Sequence, residues 1–205
     1  MNIEVLITFV SAVFLLAISP GPDNIFVLMQ SVVHGRKFGL ATVAGLMTGC
    51  IIHTTLVAFG VSAIIKESDS IFFAIKILGA SYLLYLAFRV IKSSGDILLD
   101  SKNVKRKTSA QLFLIGFLMN VLNPKVTIFF LALFPGFLFS DGLSEVIQFY
   151  ILGGLFILTS FIIFSSIAIL GGSISKRIQE NRNIGVVLKW LQVLVFIGIA
   201  IFILL

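Results

Sequence analysis

Six stretches of this chain, at about 5–33, 38–65, 71–91, 111–139, 146–172 and 186–205, run with little or no charge. Each meets the roughly 20 apolar residues needed to cross a bilayer core. In hydrocarbon only helices and closed barrels satisfy every backbone N–H and C=O group, and these runs lack the alternation of barrel strands. The expected fold is therefore an all-α integral membrane protein with six transmembrane helices, one polytopic domain covering 1–205. Composition agrees: 59% of the 205 residues are hydrophobic and 12% charged, with a mean hydropathy of +1.14, against about 25% charged in soluble domains. A water-soluble globule is excluded.

A net charge of +6 would suggest a nucleic-acid partner in a soluble protein, but the placement of the cations decides otherwise. Twelve Lys or Arg stand beside alternate connections, at 36, 37, 89, 92, 102, 105, 106, 107, 176, 177, 182 and 189, against Lys66 and Lys76 on the other side. The positive-inside rule then places the first, third and fifth connections in the cytoplasm and both termini outside. The partner this implies is the lipid bilayer, not nucleic acid. The basic cluster between Lys92 and Ala110 reads as a topogenic face near anionic lipid. The start MNIE lacks a basic n-region, and Pro20 directly follows the cleavage-like Ala17-Ile18-Ser19, so residues 1–22 are read as mature protein. The lone Cys50 makes no internal disulfide.

With three spans on each side of the long loop, span 1 runs outward to inward and span 4 the reverse, so the halves can be inverted repeats. Repeat 1 covers about 1–91, the cytoplasmic loop about 92–110 and repeat 2 about 111–205. Pro22-Asp23 in span 1 corresponds to Pro124-Lys125 in span 4, and Lys76-Ile-Leu in span 3 to Lys189-Trp-Leu in span 6. Gly45 and Gly49 in span 2 correspond to Gly153 and Gly154 in span 5.

Two of these spans are interrupted. SPGPDN, Ser19 to Asn24, breaks span 1 at Pro20 and Pro22, and NVLNPK, Asn120 to Lys125, breaks span 4 at Pro124. Proline removes a helical hydrogen bond and disfavours helix at the residue before it, so Ser19, Gly21 and Asn123 should be non-helical. Asp23 or Asn24 can cap a half-helix from about Ile25, and Asn123 one that starts at Pro124. A half-helix N-terminus suits a carboxylate. Paired broken spans in corresponding positions of two halves mark a transporter site near the midplane, and non-helical backbone at that depth persists where it lines a cavity.

The ionisable residues outside loops and interfaces are Asp23, His53 and Lys125. Each is costly in lipid and therefore a functional candidate. Lys125 could hold a carboxylate, and Asp23 an ammonium group or a proton. The plainer readings are an N-cap for Asp23 and a snorkelling or ion-paired Lys125. Gly21, Asn24, Asn120 and Asn123 complete the candidate substrate site. His53 either relays protons beside Asp23 or hydrogen-bonds a neighbouring helix. Gly45 and Gly49 read as helix-packing residues, and Lys76 and Lys189 as snorkelling ones. Cys50 and His53 share a face, but two ligands without a third leave no metal site. No catalytic constellation or phosphate loop is present, so neither an enzyme nor a cofactor is expected.

SPGPDN, HGRKFGLATVAGLMTGCIIH, KILGASYLLYLAF, MNVLNPK and the ending LKWLQVLVFIGIAIF, in this order, resemble the lysine and homoserine exporter family (LysE/RhtB) across nearly the whole chain. The resemblance implies export of amino acids or close derivatives from the bacterial cytoplasm across the inner membrane, driven by protons. It falls on Pro20, Gly21, Pro22 and Asp23, and on Asn123, Pro124 and Lys125. The alternatives are a metal or inorganic ion exporter and a non-transporting membrane scaffold. Which amino acid moves, and whether the chain forms a homo-oligomer, is left open by the sequence.

Overall fold

The computed structural model describes residues 2–19, 21–63, 68–93, 107–180 and 182–204. Pro20, Lys66 and most of the 92–110 connection lie outside the described residues. Among those described, the chain forms helices and no strand: α1 (Ile3–Ile18), α2 (Pro22–His34), α3 (Arg36–Leu56), α4 (Asp69–Lys92), α5 (Ser109–Val121), α6 (Pro124–Ile128), α7 (Glu145–Ile169), α8 (Gly171–Glu180) and α9 (Arg182–Leu204). Four helices, counting α3 with its continuation to Val61, are long and apolar enough to cross a membrane. The bent pairs, α1 with α2 at 59° and α5 with the chain to Phe137 at 49°, raise the number to six when each pair is one span. The expected all-α membrane fold with two broken spans is the one observed.

Short-range chemistry sets the helix starts. Asn2 Oδ1 accepts from the Glu4 N–H at 3.0 Å, Ser68 Oγ from Ile71 at 3.3 Å and Ser144 Oγ from Ile147 at 3.4 Å. Thr108 and Gln111 exchange the two bonds of a capping box. Between α2 and α3 the chain turns at Gly35, whose φ of 99° is open to glycine at little steric cost.

The tightest crossing joins α3 to α5. A methyl group built on Gly45 would run into the Phe113 carbonyl, one on Gly116 into the Thr42 carbonyl, and one on Gly49 into the Asn120 side chain. At Gly45, Gly49 and Gly116 the absence of a side chain lets the two helices approach this closely. The corresponding pair in the second half is unequal: Gly153 lies against Thr54, whereas a Cβ on Gly154 would meet nothing within 4 Å. Elsewhere α4 packs chiefly against α9, and α7 against α3 and α1.

Phe9, Phe129, Phe130, Phe134 and Phe137 form the fully buried aromatic centre of the main core. Phe130 and Phe134 stack at 4.2 Å, and Phe9 meets Phe134 and Phe137 edge-on at 5.2 Å. The helix is irregular there, a π turn over Phe129–Leu133 followed by a 3-10 turn over Phe134–Phe137. Pro135 accounts for it, since it lacks an N–H and crowds the carbonyl four residues back. One expectation needs correction. The connection placed at 173–185 is mostly α8, whose polar sequence GGSISKRIQE conceals it from a hydropathy reading and which packs against α2.

The α3–α5 crossing yields a stability test. Gly45→Val or Gly116→Val should cost about 1–3 kcal/mol by overpacking, read as a lower thermal midpoint in detergent. Gly154→Ala, which adds its methyl to open space, should leave that midpoint unchanged or raise it.

Candidate functional site

Each break is a meeting of two helix ends. α1 stops at Ile18, and Ser19 is extended and buried, its N–H donating to the Leu15 carbonyl at 3.1 Å. α2 begins at Pro22, where a missing N–H costs nothing, with extended Gly21 before it and no side-chain cap. The cap expected of Asp23 or Asn24 is not made, because the helix starts three residues earlier than Ile25 and both side chains already lie in its first turn. Asn24 reaches back instead. Its Nδ2 donates to the Ala17 carbonyl at 2.7 Å, satisfying an orphan of the α1 end and tying the two half-helices together. The Asp23 carboxylate is left for a partner elsewhere.

That partner comes from the second break. α5 stops at Val121, and the Asn123 N–H donates to the Asn120 carbonyl at 3.0 Å. Asn123 is the expected cap of the half-helix starting at Pro124, its Oδ1 accepting from the Lys125 N–H at 3.1 Å. The same side chain's Nδ2 donates to Asp23 Oδ2 at 2.9 Å. One amide thus caps α6 and holds the carboxylate of α2. Lys125 Nζ lies 5.1 Å from the centre of the Phe196 ring, a cation–π contact. It is also 3.7 Å from where a Cβ on Gly21 would stand, so the amine reaches the first break as well.

Between the breaks is a cavity of about 550 Å³, within the range of small-molecule sites. Gly21, Asp23, Asn24, Asn120, Asn123 and Lys125, the candidates named from sequence, all line it, as do Pro22 and Pro124. His53 does not: it is 3% exposed, with its ring 5.4 Å from Phe130. Its Nε2 lies 3.1 Å from the Asn120 carbonyl, which only accepts, so Nε2 carries the hydrogen. Of the two roles considered for His53, the structure displays the bond to a neighbouring helix. It is a second bond to a carbonyl near the end of α5 that already accepts from the Asn123 N–H, and it ties α3 to the break. Asn120 Nδ2 donates to Cys50 Sγ at 3.4 Å, and Cys50 forms part of the cavity wall. Among the described residues no three His, Cys, Asp or Glu side chains gather where a metal could bind.

Sequence reasoning missed the far end of the cavity. Lys189, read as a snorkelling residue, lines it and donates from Nζ to the Ser93 carbonyl at the end of α4, at 2.6 Å. Arg89, Tyr82 and Gln192 line it too. The available signal was spacing: 82, 86 and 89 share one face of α4, and 189, 192 and 196 one face of α9.

The LysE type translocator family profile matches residues 14–205. The chain belongs to the LysE translocator family. This translocator is 31% identical over 169 residues to the homoserine/homoserine lactone efflux protein of Salmonella typhimurium, covering 82% of this chain and 81% of that one. The protein of the same name from Salmonella typhi matches to the same extent. No solved structure matches. The resemblance drawn from SPGPDN and MNVLNPK therefore holds, and both breaks lie in the matched region. As a member of a translocator family, the chain is a multi-pass membrane protein with a small-molecule substrate.

The shared amide makes a specific prediction. Asn123→Asp keeps a good cap for α6 but sets a second carboxylate against Asp23, so stability should fall by about 1–3 kcal/mol near neutral pH. The loss should shrink as pH falls, because protonating either carboxyl removes the repulsion. Thermal unfolding of the purified translocator across pH reads this directly.

Proposed function

We propose that this translocator is a secondary exporter that carries amino acids or close derivatives out of the bacterial cytoplasm across the inner membrane, by exchange for protons. The observation that carries the reading is the pair of helix breaks facing one cavity, with Asp23 and Lys125 on its wall. An isolated charge at membrane depth is expensive, and two opposite charges on adjoining breaks lower that cost together. Between them fits a zwitterion. Lys125 binds the carboxylate, and Asp23 takes either the ammonium group or a proton. When substrate leaves outward, Asp23 takes up a proton in place of the ammonium group, and the empty carrier returns with it, which makes the cycle an exchange. The names of the Salmonella relatives, homoserine and homoserine lactone efflux, support this substrate class.

The inward bias of Lys and Arg supports a topology with both termini outside. The arrangement as inverted repeats, about 1–91 and 111–205, has support in the packing. The break between α1 and α2 meets the break between α5 and α6, α5 packs on α3 where α1 packs on α7, and α4 pairs with α9. Such a two-fold plan lets one half rock against the other about a fixed site, exposing it to each side in turn.

Asp23→Asn tests the coupling. The amide is close to isosteric and still accepts a hydrogen bond from Asn123, so the fold should persist while proton-driven accumulation in inside-out vesicles is abolished and substrate exchange survives. Lys125→Ala should weaken transport of carboxylate-bearing substrates, and the double variant should be strongly non-additive. Proton-driven transport at the wild-type rate in Asp23→Asn would remove the acid from the mechanism.

A further inference from the structure

The cavity carries more positive charge than a zwitterion needs. Its described lining has Lys125 at the breaks, Arg89 and Lys189 at the other end, and Asp23 as the sole acid. The two outer cations stand where α4 ends and α9 begins: Arg89 lies one turn before the end of α4 at Lys92, and Lys189 two turns into α9. Lys189 is half-buried and fixed by its bond to the Ser93 carbonyl. From it a stripe runs inward along α9 through Gln192 to Phe196, whose ring carries Lys125 Nζ. Seven residues along a helix span about 10 Å, so the outer and inner cations form two stations joined by a polar side chain. Tyr82 on α4 also lines the cavity.

We propose that Arg89 and Lys189 form a cationic vestibule that selects substrates by their free carboxylate, delivering it along Gln192 to Lys125, and that the translocator therefore discriminates against amino-acid esters, lactones and dibasic amino acids. The inference rests on the export reading above and narrows its substrate class. Esters and lactones lack the anion that the vestibule attracts and carry a protonated amine at mildly acidic pH. Dibasic amino acids add a second cation to the same space. With three cations against one acid, such molecules meet repulsion at the outer station and have only Asp23 to offset it. The relatives named for efflux of both homoserine and its lactone need not share this preference.

The charge, not the bond to Ser93, is the operative feature. Lys189→Gln can still donate to that carbonyl but removes the cation, which separates selection from helix pairing. Initial uptake rates into inside-out vesicles holding the full-length protein, at mildly acidic pH, compare neutral amino acids with their methyl esters, homoserine with homoserine lactone, and both with lysine. Wild type should favour each free neutral amino acid by about tenfold or more, and Arg89→Gln with Lys189→Gln should collapse that ratio, while Lys189→Arg restores it. Because the readout is a ratio within one preparation, it does not depend on how much protein reaches the membrane. If wild type moves esters, lactone or lysine within about twofold of the free neutral acids, or if the ratio is unmoved in the Gln variants, the vestibule proposal is overturned and export stands. If no amino acid moves in wild type, the export reading itself is overturned.

Discussion

The hydrogen bond from Asn123 Nδ2 to Asp23 Oδ2 is the contact on which the rest of the structure depends. Each break alone is a defect in lipid: exposed backbone groups, prolines that end helices, and a charge. Joined, the defects solve one another's problems. Asn123 caps α6 with its oxygen and holds the α2 carboxylate with its nitrogen, so a single side chain satisfies a half-helix start and an acid. Asn24 does the corresponding work on the first break by bonding Ala17, and His53 ties α3 to the carbonyl of Asn120 on the second. Among the described residues, two buried oxygens at the breaks, Ser19 Oγ and Asn120 Oδ1, remain without a hydrogen-bond partner, and the space between the breaks is the cavity.

The rigid parts of the bundle are arranged so that the breaks stay together. Gly45, Gly49 and Gly116 let α3 and α5 touch backbone to backbone, which places Asn120 against Cys50 and His53 and so fixes where α5 ends. Beyond the breaks, the packed phenylalanines around Phe130 and Phe134 fill the core that α6 runs into. The cavity extends instead to the end of α4 and the start of α9, where Arg89 and Lys189 stand. It thus has a polar end at the breaks and a cationic end where α4 stops and α9 starts. Within that aromatic layer the helix at Phe129–Phe137 is irregular, a π turn followed by a 3-10 turn.

Much of this was legible in the sequence because the signals were costs. Proline and an acid inside an apolar run demand compensation, which points to Pro22, Asp23, Asn123, Pro124 and Lys125 without any knowledge of contacts. Hydropathy likewise gave the spans. Three things escaped for identifiable reasons. The start of α2 was placed too late because Pro22 was read as ending structure, when at the first position of a helix it begins one. α8 was missed because a short polar helix has no hydropathy signal. Lys189 was read as snorkelling because a cation near a span end looks alike whether it faces lipid or a cavity. Only the partner helix, through the Ser93 carbonyl, distinguishes the two.

The proposed export route requires both breaks to line one path reached from the cytoplasm. Thiol accessibility tests it most directly, using Ile25→Cys beside the first break and Gln192→Cys on the α9 stripe, each in a Cys50→Ser background because Cys50 lines the same wall. A membrane-impermeant maleimide applied to the cytoplasmic face should label both positions, and the exported amino acid should slow both reactions. Labelling confined to the outer face, or labelling that substrate leaves untouched at both positions, would contradict the account.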